Sequence, residues 1–412
     1  MAANVIGDNI NDIFIKSLYH VRDRGTLLNI RGSEVKEVLN FTYELTNINN
    51  NILTIPFRYN NFPAVCFETL WVLSGCNHLD DLKYFLPNCV DYSDDGGGTW
   101  GGAYGPRIRF GGNQNFRWHN INEPMKYVLK DDQIFHVIKT LIDDNFSRQA
   151  IITIGMANDY STNLETNDRP CNMALQFYIR DERLHCTVTQ RSGDCIWGVF
   201  NINIFEWTTL QRLIADCLGV RTGSLTHNIT SFHYYTKQHE AMVEKILKSK
   251  NMIPLIYNGE YDVSYDDSRL DKSLENIEIY KKLDCHYDNI AFSYHILSKT
   301  IHNKELDDSS VRNSFIPQPN YQIIKRLFTC ARLFTLLKQK KYNKIIELFE
   351  EIDLDIYYIA MLEYAIRYCW KNNKDDILPI APILDNDKTK SLPFNIDKFV
   401  HWGIHNENKK DL

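Results

Sequence analysis

The chain has 412 residues, of which 44% are hydrophobic and 24% charged, a composition that predicts a folded protein with room for two domains. The formal net charge of -6 lacks the broad positive field of a nucleic-acid coat protein, so we expect no stable nucleic-acid binding, although a local basic pocket is compatible with it. The N-terminal residues have no signal-peptide pattern and no apolar run approaches bilayer-spanning length, which disfavours secretion and membrane insertion.

The first elements in chain order are strand-like and helix-like runs separated by Asn-rich turns. They read EVLNFTYEL, NILTIPF and AVCFETLWVLSG between about residues 34 and 85. Residues 90–116 are rich in glycine, which predicts a mobile or ligand-facing loop. A phosphate-binding P-loop is disfavoured because no GK[ST] sequence follows the glycines.

Between residues 150 and 236, short β-rich runs alternate with one helical run. The β-rich runs are AIITIGM, MALQFYI, LHCTVTQR and SLTHNITSFHYY, and the helical run is WTTLQRLIADCLG. This order predicts a mixed α+β core. Beyond residue 240 apolar residues recur at helical spacing, interrupted by polar loops at 259–275 and 303–320. We therefore expect an α+β domain over residues 1–255 and a mainly helical extension over residues 256–412.

Ten cysteines are scattered along the chain without a CxxC pair or a short-chain disulfide framework. This pattern predicts reduced thiols and a cytoplasmic location, which would be the host cytoplasm for a viral protein. The cysteines and histidines also lack zinc-finger or deaminase spacing, so no metal is expected.

Four ordered segments together resemble the core of the thymidylate synthase family. They are SRQAIITI (147–154), DRPCNMALQFYIRDERLHCTVTQRSGDCIWG (168–198), NIFEWTTLQRLIAD (203–216) and THNITSFHYY (226–235). FETLWVLSG (67–75) and AYGPRIR (103–109) resemble that family's glutamate-bearing helix and tyrosine loop. The resemblance runs from about residue 20 to 250. It implies an α+β fold with a mixed sheet and surrounding helices, and leaves the helical C-terminal extension unexplained.

The resemblance implies that Cys171 is the nucleophile. Carbon 5 of a pyrimidine is a poor nucleophile, and adding a thiolate to carbon 6 converts it into an enolate that attacks a one-carbon donor. Arg191 is expected to pair near Cys171 and to lower the pKa of its thiol. Taken alone, a cysteine is more often a packed thiol, but the surrounding motifs favour the nucleophile.

The phosphate of a nucleotide substrate needs arginines, whose planar fork matches two phosphate oxygens. The resemblance implies that Arg191 and Ser192 bind it and that Arg148 reaches it across a dimer interface, so a homodimer is expected. VRDRGTLLNIRG (21–32) resembles the family's mobile phosphate loop, with Arg24 the chosen residue and Arg22 a near rival.

Base and sugar recognition follow in the same way. The resemblance implies that the Asn203 amide reads the pyrimidine edge, with Gln190 as a second base-binding residue. GVFNIN has one residue more than the family's GLPxN pattern and lacks its proline, so Asn201 is an alternative. His233 and Tyr235 match the pair that binds the sugar hydroxyl.

Glu68 and Tyr104 are expected to handle protons at the base. By the same resemblance, Asp194 contacts the pterin of the co-substrate 5,10-methylenetetrahydrofolate. Asn172 stands where thymidylate synthases usually have a histidine, which weakens the match to that branch.

The final step separates two reactions on the exocyclic methylene that the one-carbon transfer leaves on the pyrimidine. Hydride gives thymidylate, whereas water gives a 5-hydroxymethyl nucleotide. Val90 and Ser93 stand where the synthases carry shielding tryptophans, and the chain continues far beyond the family's short closing tail. AYGPRIR and SRQA also resemble the hydroxymethylase branch.

We therefore expect a pyrimidine nucleoside monophosphate hydroxymethylase of bacteriophage type, acting on dUMP ahead of dCMP because of Asn203. The alternatives are a thymidylate synthase, a dCMP or CMP hydroxymethylase, and a catalytically inactive nucleotide-binding module.

Overall fold

The computed structural model describes residues 3–55, 57–111, 132–162, 165–166, 168–248, 276–302, 322–372 and 378–392. The polar loops expected at 259–275 and 303–320 lie outside these residues. The domain boundary expected between residues 255 and 256 also lies outside them, and it stays a prediction.

Seven strands form one mixed sheet. They are β1 (Ala3–Gly7), β2 (Thr26–Ile30), β3 (Ser33–Leu45), β4 (Ile151–Thr153), β5 (Asn172–Arg180), β6 (Arg183–Asp194) and β7 (Arg221–Tyr235). The spatial order is β1-β3-β7-β6-β5-β4, and β2 pairs with the first half of β3. β1 with β3 and β6 with β7 are parallel pairs, whereas β3 with β7, β5 with β6 and β4 with β5 are antiparallel.

Helices surround the sheet and continue to the C-terminal part of the chain. They are α1 (Ile10–Arg24), α2 (Phe62–Leu73), α3 (Leu82–Phe85), α4 (Tyr104–Phe110), α5 (Gln133–Asp143), α6 (Ile204–Leu218), α7 (Thr236–Lys248), α8 (Asn276–Ile301), α9 (Gln322–Lys338), α10 (Tyr342–Glu351), α11 (Ile356–Asn372), α12 (Ala381–Asp385) and α13 (Asp387–Lys390). The α+β prediction, including the helical C-terminal part, is confirmed.

The sheet has one buried and one open face, as the alternation of its strands predicts. Leu175, Val188, His227 and Tyr43 are paired neighbours across β5, β6, β7 and β3, and all four are buried. The next row consists of Gln176, Thr187, Thr226 and Glu44, which are only half-buried. The core therefore lies on one side of the sheet only.

Helices α2 and α6 form the centre of this core, because every residue in both is buried. A helix buried on all sides must carry apolar residues nearly all round, so the few charged side chains in these two helices are conspicuous.

The run NILTIPF forms no strand over its described residues. Its backbone is bound by side chains instead: Asn11 Oδ1 accepts from the Thr54 amide at 2.8 Å, and Asn60 Nδ2 donates to the Leu53 carbonyl at 3.0 Å. An apolar run whose backbone groups are bound in this way can be buried without pairing in a sheet.

The C-terminal helices pack directly against α2 and its neighbours. Phe334 of α9 lies 5.0 Å from Phe85, measured between ring centroids, and Tyr357 of α11 lies 5.7 Å from Phe62. Arg367 of α11 donates to the Asn60 carbonyl. Within the described part of the chain, no helix is long and apolar enough to cross a membrane.

Candidate active site

Cys171 immediately precedes β5, and Arg191 of β6 lies beside it. The Arg191 Nη2 is 3.7 Å from the Cys171 Sγ, and the Arg191 amide donates to the Cys171 carbonyl at 2.9 Å. The guanidinium is fixed by the carbonyls of Pro170 and Arg169, which accept from Nε and Nη2 at 2.9 Å each. The thiol and the cation thus lie as close together as expected, and the two carbonyls restrain the position of the guanidinium.

The pKa of the Cys171 thiol reflects competing influences. Burial raises this pKa most, the charge of Arg191 lowers it, Asp168 raises it, and Arg31 lowers it. Removing either arginine would therefore leave the thiol harder to ionise.

Arg31 was missed by the sequence reasoning. It occupies the two-residue turn between β2 and β3, with φ +52° for Arg31 and +78° for Gly32. Besides Cys171, the charge of Arg31 acts on Tyr235. The available signal was the glycine directly after Arg31, because a glycine suits the second position of a two-residue hairpin turn.

Arg24, the predicted loop arginine, ends α1 and is exposed. Its charge acts on His20, and it contributes to lowering the pKa of Asp23. The rival Arg22 is paired with Asp23, with 2.7 Å between Nε and Oδ1. Both roles stay predictions, as does the role of Arg148, which is exposed in the loop before β4.

The predicted phosphate and sugar residues lie at the ends of β6 and β7. Ser192 pairs with Ser231 in the parallel ladder, and Asp194 pairs with His233. The ring centroids of His233 and Tyr235 are 5.5 Å apart. Burial raises the pKa of Tyr235, with smaller contributions from Asp194, Tyr92 and Cys171, so this phenol lies on the same side of the molecule as the thiol.

Asn203 lies at the end of a π-helical segment, Cys195–Asn203, that runs directly into α6. A π-helix holds one residue more per turn than an α-helix. The segment therefore accommodates the extra residue of GVFNIN and still places Asn203 at the start of α6. The alternative, Asn201, is buried two residues earlier in the same segment.

The Asn203 amide lies between Gln190 of β6 and the buried carboxyl group of Glu206. Gln190 Nε2 lies 3.3 Å from Asn203 Oδ1, and Asn203 Nδ2 lies 3.3 Å from Glu206 Oε2. Glu206 is 2% exposed and was also missed from the sequence. Its only signal was a lone charge inside the apolar run NIFEWTTL.

Glu68 of α2 and Glu206 of α6 influence each other. Burial raises the pKa of Glu68 to about 8. Burial and the charge of Glu68 raise the pKa of Glu206 well above its usual value, against a lowering by Asn203. One oxygen of each carboxyl, Oε2 of Glu68 and Oε1 of Glu206, has no hydrogen-bond partner among the described residues. Burial and the neighbouring carboxyl thus make both groups harder to ionise than an exposed glutamic acid.

Tyr104 is the first residue of α4 and connects this carboxyl pair to the thiol. Burial raises the pKa of its phenol well above the usual value, Cys171 and Glu206 raise it further, and a hydrogen bond with Asn172 lowers it. The Tyr104 ring lies 5.5 Å from the ring of Trp207, whose Nε1 donates to Asn172 Oδ1 at 3.2 Å.

Two buried arginines hold α4 in place. Arg107 pairs with both carboxylate oxygens of Asp159, at 2.5 and 2.8 Å, and Arg109 pairs with Asp132 at 2.9 Å. Tyr287 of α8 lies over the Arg109 guanidinium at 3.4 Å and donates to Asp132 at 2.7 Å. The C-terminal helices thus support the helix that carries Tyr104.

The glycine-rich loop that leads to α4 is held by side-chain contacts in its described part, residues 90–111. Asp95 Oδ1 accepts from the amides of Gly98 and Thr99 at 2.9 Å each. Trp100 Nε1 donates to the Cys89 carbonyl at 2.8 Å. These contacts hold the described part of the loop in place, and its facing a ligand stays a prediction.

Asp194 lies next to a buried cation. It caps the π-helical segment, where its Oδ1 accepts from the Ile196 amide at 2.8 Å. Arg58 donates through Nε to the Ile196 carbonyl at 2.8 Å, and its guanidinium lies 5.6 Å from the Trp197 ring. Burial lowers the pKa of Arg58 to about 10, and its Nη2 has no partner among the described residues. A donor, an acceptor and an indole here fit a flat polar heterocycle.

Among the described residues, no three or more His, Cys, Asp or Glu side chains are grouped as metal ligands. All ten cysteines are free thiols, and only Cys171 and Cys285 are partly exposed.

Comparison with known proteins yields curated relatives that share one name. Deoxyuridylate hydroxymethyltransferases are 30% identical over 249 residues in Delftia phage PhiW-14, 30% over 238 in Bacillus phage SP01, and 32% over 169 in Pseudomonas phage M6. The matches cover 60%, 58% and 41% of this chain and 66%, 60% and 43% of the relatives, so less than two thirds of each relative is spanned.

The relatives belong to the hydroxymethylase branch that the motifs resemble. A model of the family described as thymidylate synthase matches residues 12–285, which is more than half of the 412 residues. Together with the mixed sheet and the Cys171–Arg191 pair at the start of β5, this match shows that the chain belongs to the thymidylate synthase family.

Proposed function

We propose that the protein is a one-carbon transferase that converts dUMP into 5-hydroxymethyl-dUMP. The observation that carries the proposal is the Cys171 thiol at 3.7 Å from the fixed guanidinium of Arg191. The name of the phage relatives supports uracil as the base and water as the final nucleophile.

In this proposal the Cys171 thiolate adds to carbon 6 of the pyrimidine and leaves after the transfer. Arg191 favours the thiolate and, together with Ser192, Arg24 and the Arg148 of a second subunit, binds the phosphate. Arg31 adds positive charge near the thiol and is a further candidate for the phosphate. His233 and Tyr235 bind the sugar hydroxyl.

Glu68 and Tyr104 move protons at the base. A Glu68 with a pKa of about 8 is protonated at neutral pH and can donate a proton to the pyrimidine and take it back. Tyr104 assists removal of the carbon 5 proton, and the influence of both Cys171 and Glu206 on its phenol supports this role.

When bound, 5,10-methylenetetrahydrofolate supplies the one-carbon unit. Asp194 would accept from its pterin, while Trp197 and the unpartnered Nη2 of Arg58 offer a flat surface and a donor. These residues fit a co-substrate of that shape and polarity.

The segment that would otherwise shield the exocyclic methylene is open to solvent. Val90 is 37% exposed, and Ser93 is bound to Asp95 on the surface. Neither side chain offers the wide apolar cover of a tryptophan, which supports the entry of water.

A homodimer formed through the open sheet face is part of the proposal. The open row of Gln176, Thr187, Thr226 and Glu44 contains one charged residue, and Leu39 is 61% exposed. Gln176 Nε2 donates to the Arg148 carbonyl at 2.9 Å, so Arg148 lies at the edge of this face, where a second subunit would be reached. The free thiols support the proposed cytoplasmic location, in the host for a phage protein.

The test is incubation of the full chain with methylenetetrahydrofolate and dUMP, dCMP or CMP in turn, followed by mass analysis of the nucleotide. We expect dUMP to gain a hydroxymethyl group. Formation of thymidylate together with dihydrofolate would show that the final step is reduction and not hydration. A Cys171→Ala variant with full turnover would overturn the covalent mechanism.

A further inference from the structure

Asn203, the residue proposed to read the base, is held by two other buried side chains, and their chemistry fixes which way its amide faces. An amide has a donor end and an acceptor end that can exchange by rotation, so its orientation has to be argued from its neighbours.

The first neighbour is Gln190, whose own orientation is set by the backbone. Its Nε2 lies 2.8 Å from the Ser192 carbonyl. A carbonyl oxygen only accepts hydrogen bonds, so the nitrogen end of Gln190 must face it. The same nitrogen lies 3.3 Å from Asn203, and the atom that it meets must therefore be the acceptor, Oδ1.

The second neighbour is Glu206, one helical turn after Asn203. With Oδ1 turned toward Gln190, the Nδ2 of Asn203 faces Glu206 Oε2 at 3.3 Å. An ionised carboxylate only accepts, and a protonated one still offers its carbonyl oxygen. Burying a carboxyl at 2% exposure is costly, so its presence beside an amide calls for a specific role.

The two pyrimidines present opposite patterns to this amide. Uracil offers the carbonyl oxygen at position 4 as acceptor and N3–H as donor, whereas cytosine offers an amino group and an unprotonated N3. If dUMP is the substrate, as the proposed function has it, the observed orientation is the one that matches uracil, and reading cytosine would require Asn203 to rotate by half a turn. Its Nδ2 would then face the Gln190 nitrogen and its Oδ1 the Glu206 carboxyl, placing donor against donor and, for an ionised Glu206, acceptor against acceptor.

We propose that Glu206, together with Gln190, is a specificity-determining positioning residue that holds Asn203 in the orientation complementary to uracil. This inference rests on the proposed function, because it takes Asn203 as the reader of the base. It adds a role for Glu206 and a physical reason for choosing dUMP over dCMP.

The test is the ratio of the dCMP to the dUMP dissociation constant, measured by calorimetry without folate in wild type and in Glu206→Gln. Glutamine has nearly the same size but can either accept from Nδ2 or donate to Oδ1, so it tolerates both amide orientations. We expect the ratio to fall by about two- to tenfold, the equivalent of one net hydrogen bond. A merely structural role would weaken both nucleotides equally and leave the ratio unchanged, which would overturn the inference.

Two further variants complete the design. Glu240→Gln is the matched control, because it removes a carboxylate that accepts from Tyr234 at 2.8 Å outside the site, and it should leave the ratio unchanged. Gln190→Glu places an acceptor toward Asn203, which favours the rotated amide and should lower the ratio of the dCMP to the dUMP dissociation constant. This variant keeps the inference testable if Glu206→Gln folds poorly.

Failure of this inference and failure of the proposed function give different results. If the wild type prefers dUMP but forms thymidylate, the proposed hydroxymethylase activity is wrong and the inference still holds. A wild type that forms 5-hydroxymethyl-dUMP while Glu206→Gln and Gln190→Glu keep the wild-type ratio would remove only the inference. A wild type that binds neither nucleotide would remove both.

Discussion

Glu68 shows how one buried side chain can serve chemistry at a cost in stability. In the unfolded chain its carboxyl ionises with a pKa near 4.3, whereas in the folded protein burial raises this pKa to about 8. A carboxyl whose pKa is raised by folding contributes its full stability below the unfolded value and loses it as the pH rises through the folded value. The stability of the wild type should therefore fall between about pH 4.5 and pH 8.

Glu68→Gln should remove this part of the pH dependence. The stability of the variant relative to wild type should rise by roughly 3.5 kcal/mol from pH 5 to pH 8, because glutamine needs no proton to remain neutral. Urea unfolding at several pH values measures the difference. Glu206 remains titratable in the variant, so a smaller dependence persists. Glu182→Gln, at a side chain that is 81% exposed, is the control, and parallel pH curves for Glu68→Gln and wild type would contradict the burial argument.

At the scale of elements, the hairpin of β2 and β3 brings a positive charge, that of Arg31, near the Cys171 thiol. The preceding helix α1, which ends at Arg24, is not among the influences on that thiol. All of β2 is exposed, yet its turn brings Arg31 close enough for its charge to lower the pKa of the Cys171 thiol. β3 pairs with the end of β7 from Val35 to Glu37, opposite Tyr235 and His233. The hairpin tip therefore lies beside the residues proposed to bind sugar and phosphate.

Arg31→Asn should weaken dUMP binding by about tenfold, through loss of a charge-assisted contact. Asparagine is chosen because it tolerates the positive φ of this turn better than alanine does. Arg24→Asn is the matched comparison and should have the smaller effect. Calorimetric titration of both variants measures the affinities, and a larger loss for Arg24 would return the phosphate role to the end of α1.

The elements with strong periodicity could be predicted from the sequence, and those set by single side chains could not. Alternation in MALQFYI and LHCTVTQR predicted β5 and β6, because one face of the sheet is buried. NILTIPF was misleading because Asn11 and Asn60 bind its backbone from elsewhere in the chain.

The candidate site divides in the same way. Cys171 and Asn203 were predicted as site residues because their motifs resemble a family. Glu206 and Arg31 were missed because their proposed roles arise only from the packing of α6 against α2 and from the approach of a turn to the end of β7. Such contacts between distant segments leave no local pattern in the sequence.

At the scale of the whole molecule, the C-terminal helices are part of the site's support. Arg326 of α9 pairs with Asp355 at 2.9 Å, and α9 as a whole packs on α2, the helix of Glu68. Tyr287 of α8 binds the Asp132 that also holds Arg109 of α4. The segment that the motifs left unexplained thus packs behind α2 and α4, the helices of the two residues proposed to handle protons.

The dimer is the remaining proposal at this scale, and it predicts that two inactive variants restore each other. Arg148→Ala lacks the arginine that a subunit would lend, and Cys171→Ala lacks the nucleophile. In a mixed dimer, the Cys171 of the first variant would meet the Arg148 of the second, which restores one native site. If subunits exchange freely in an equal mixture, half of the dimers are mixed and each has one native site of two, so about one quarter of wild-type turnover should return. Hydroxymethyl product formation before and after mixing measures this recovery. A mixture that stays as inactive as its parts, although subunit exchange is verified by mass, would place Arg148 in its own subunit's site or outside any site.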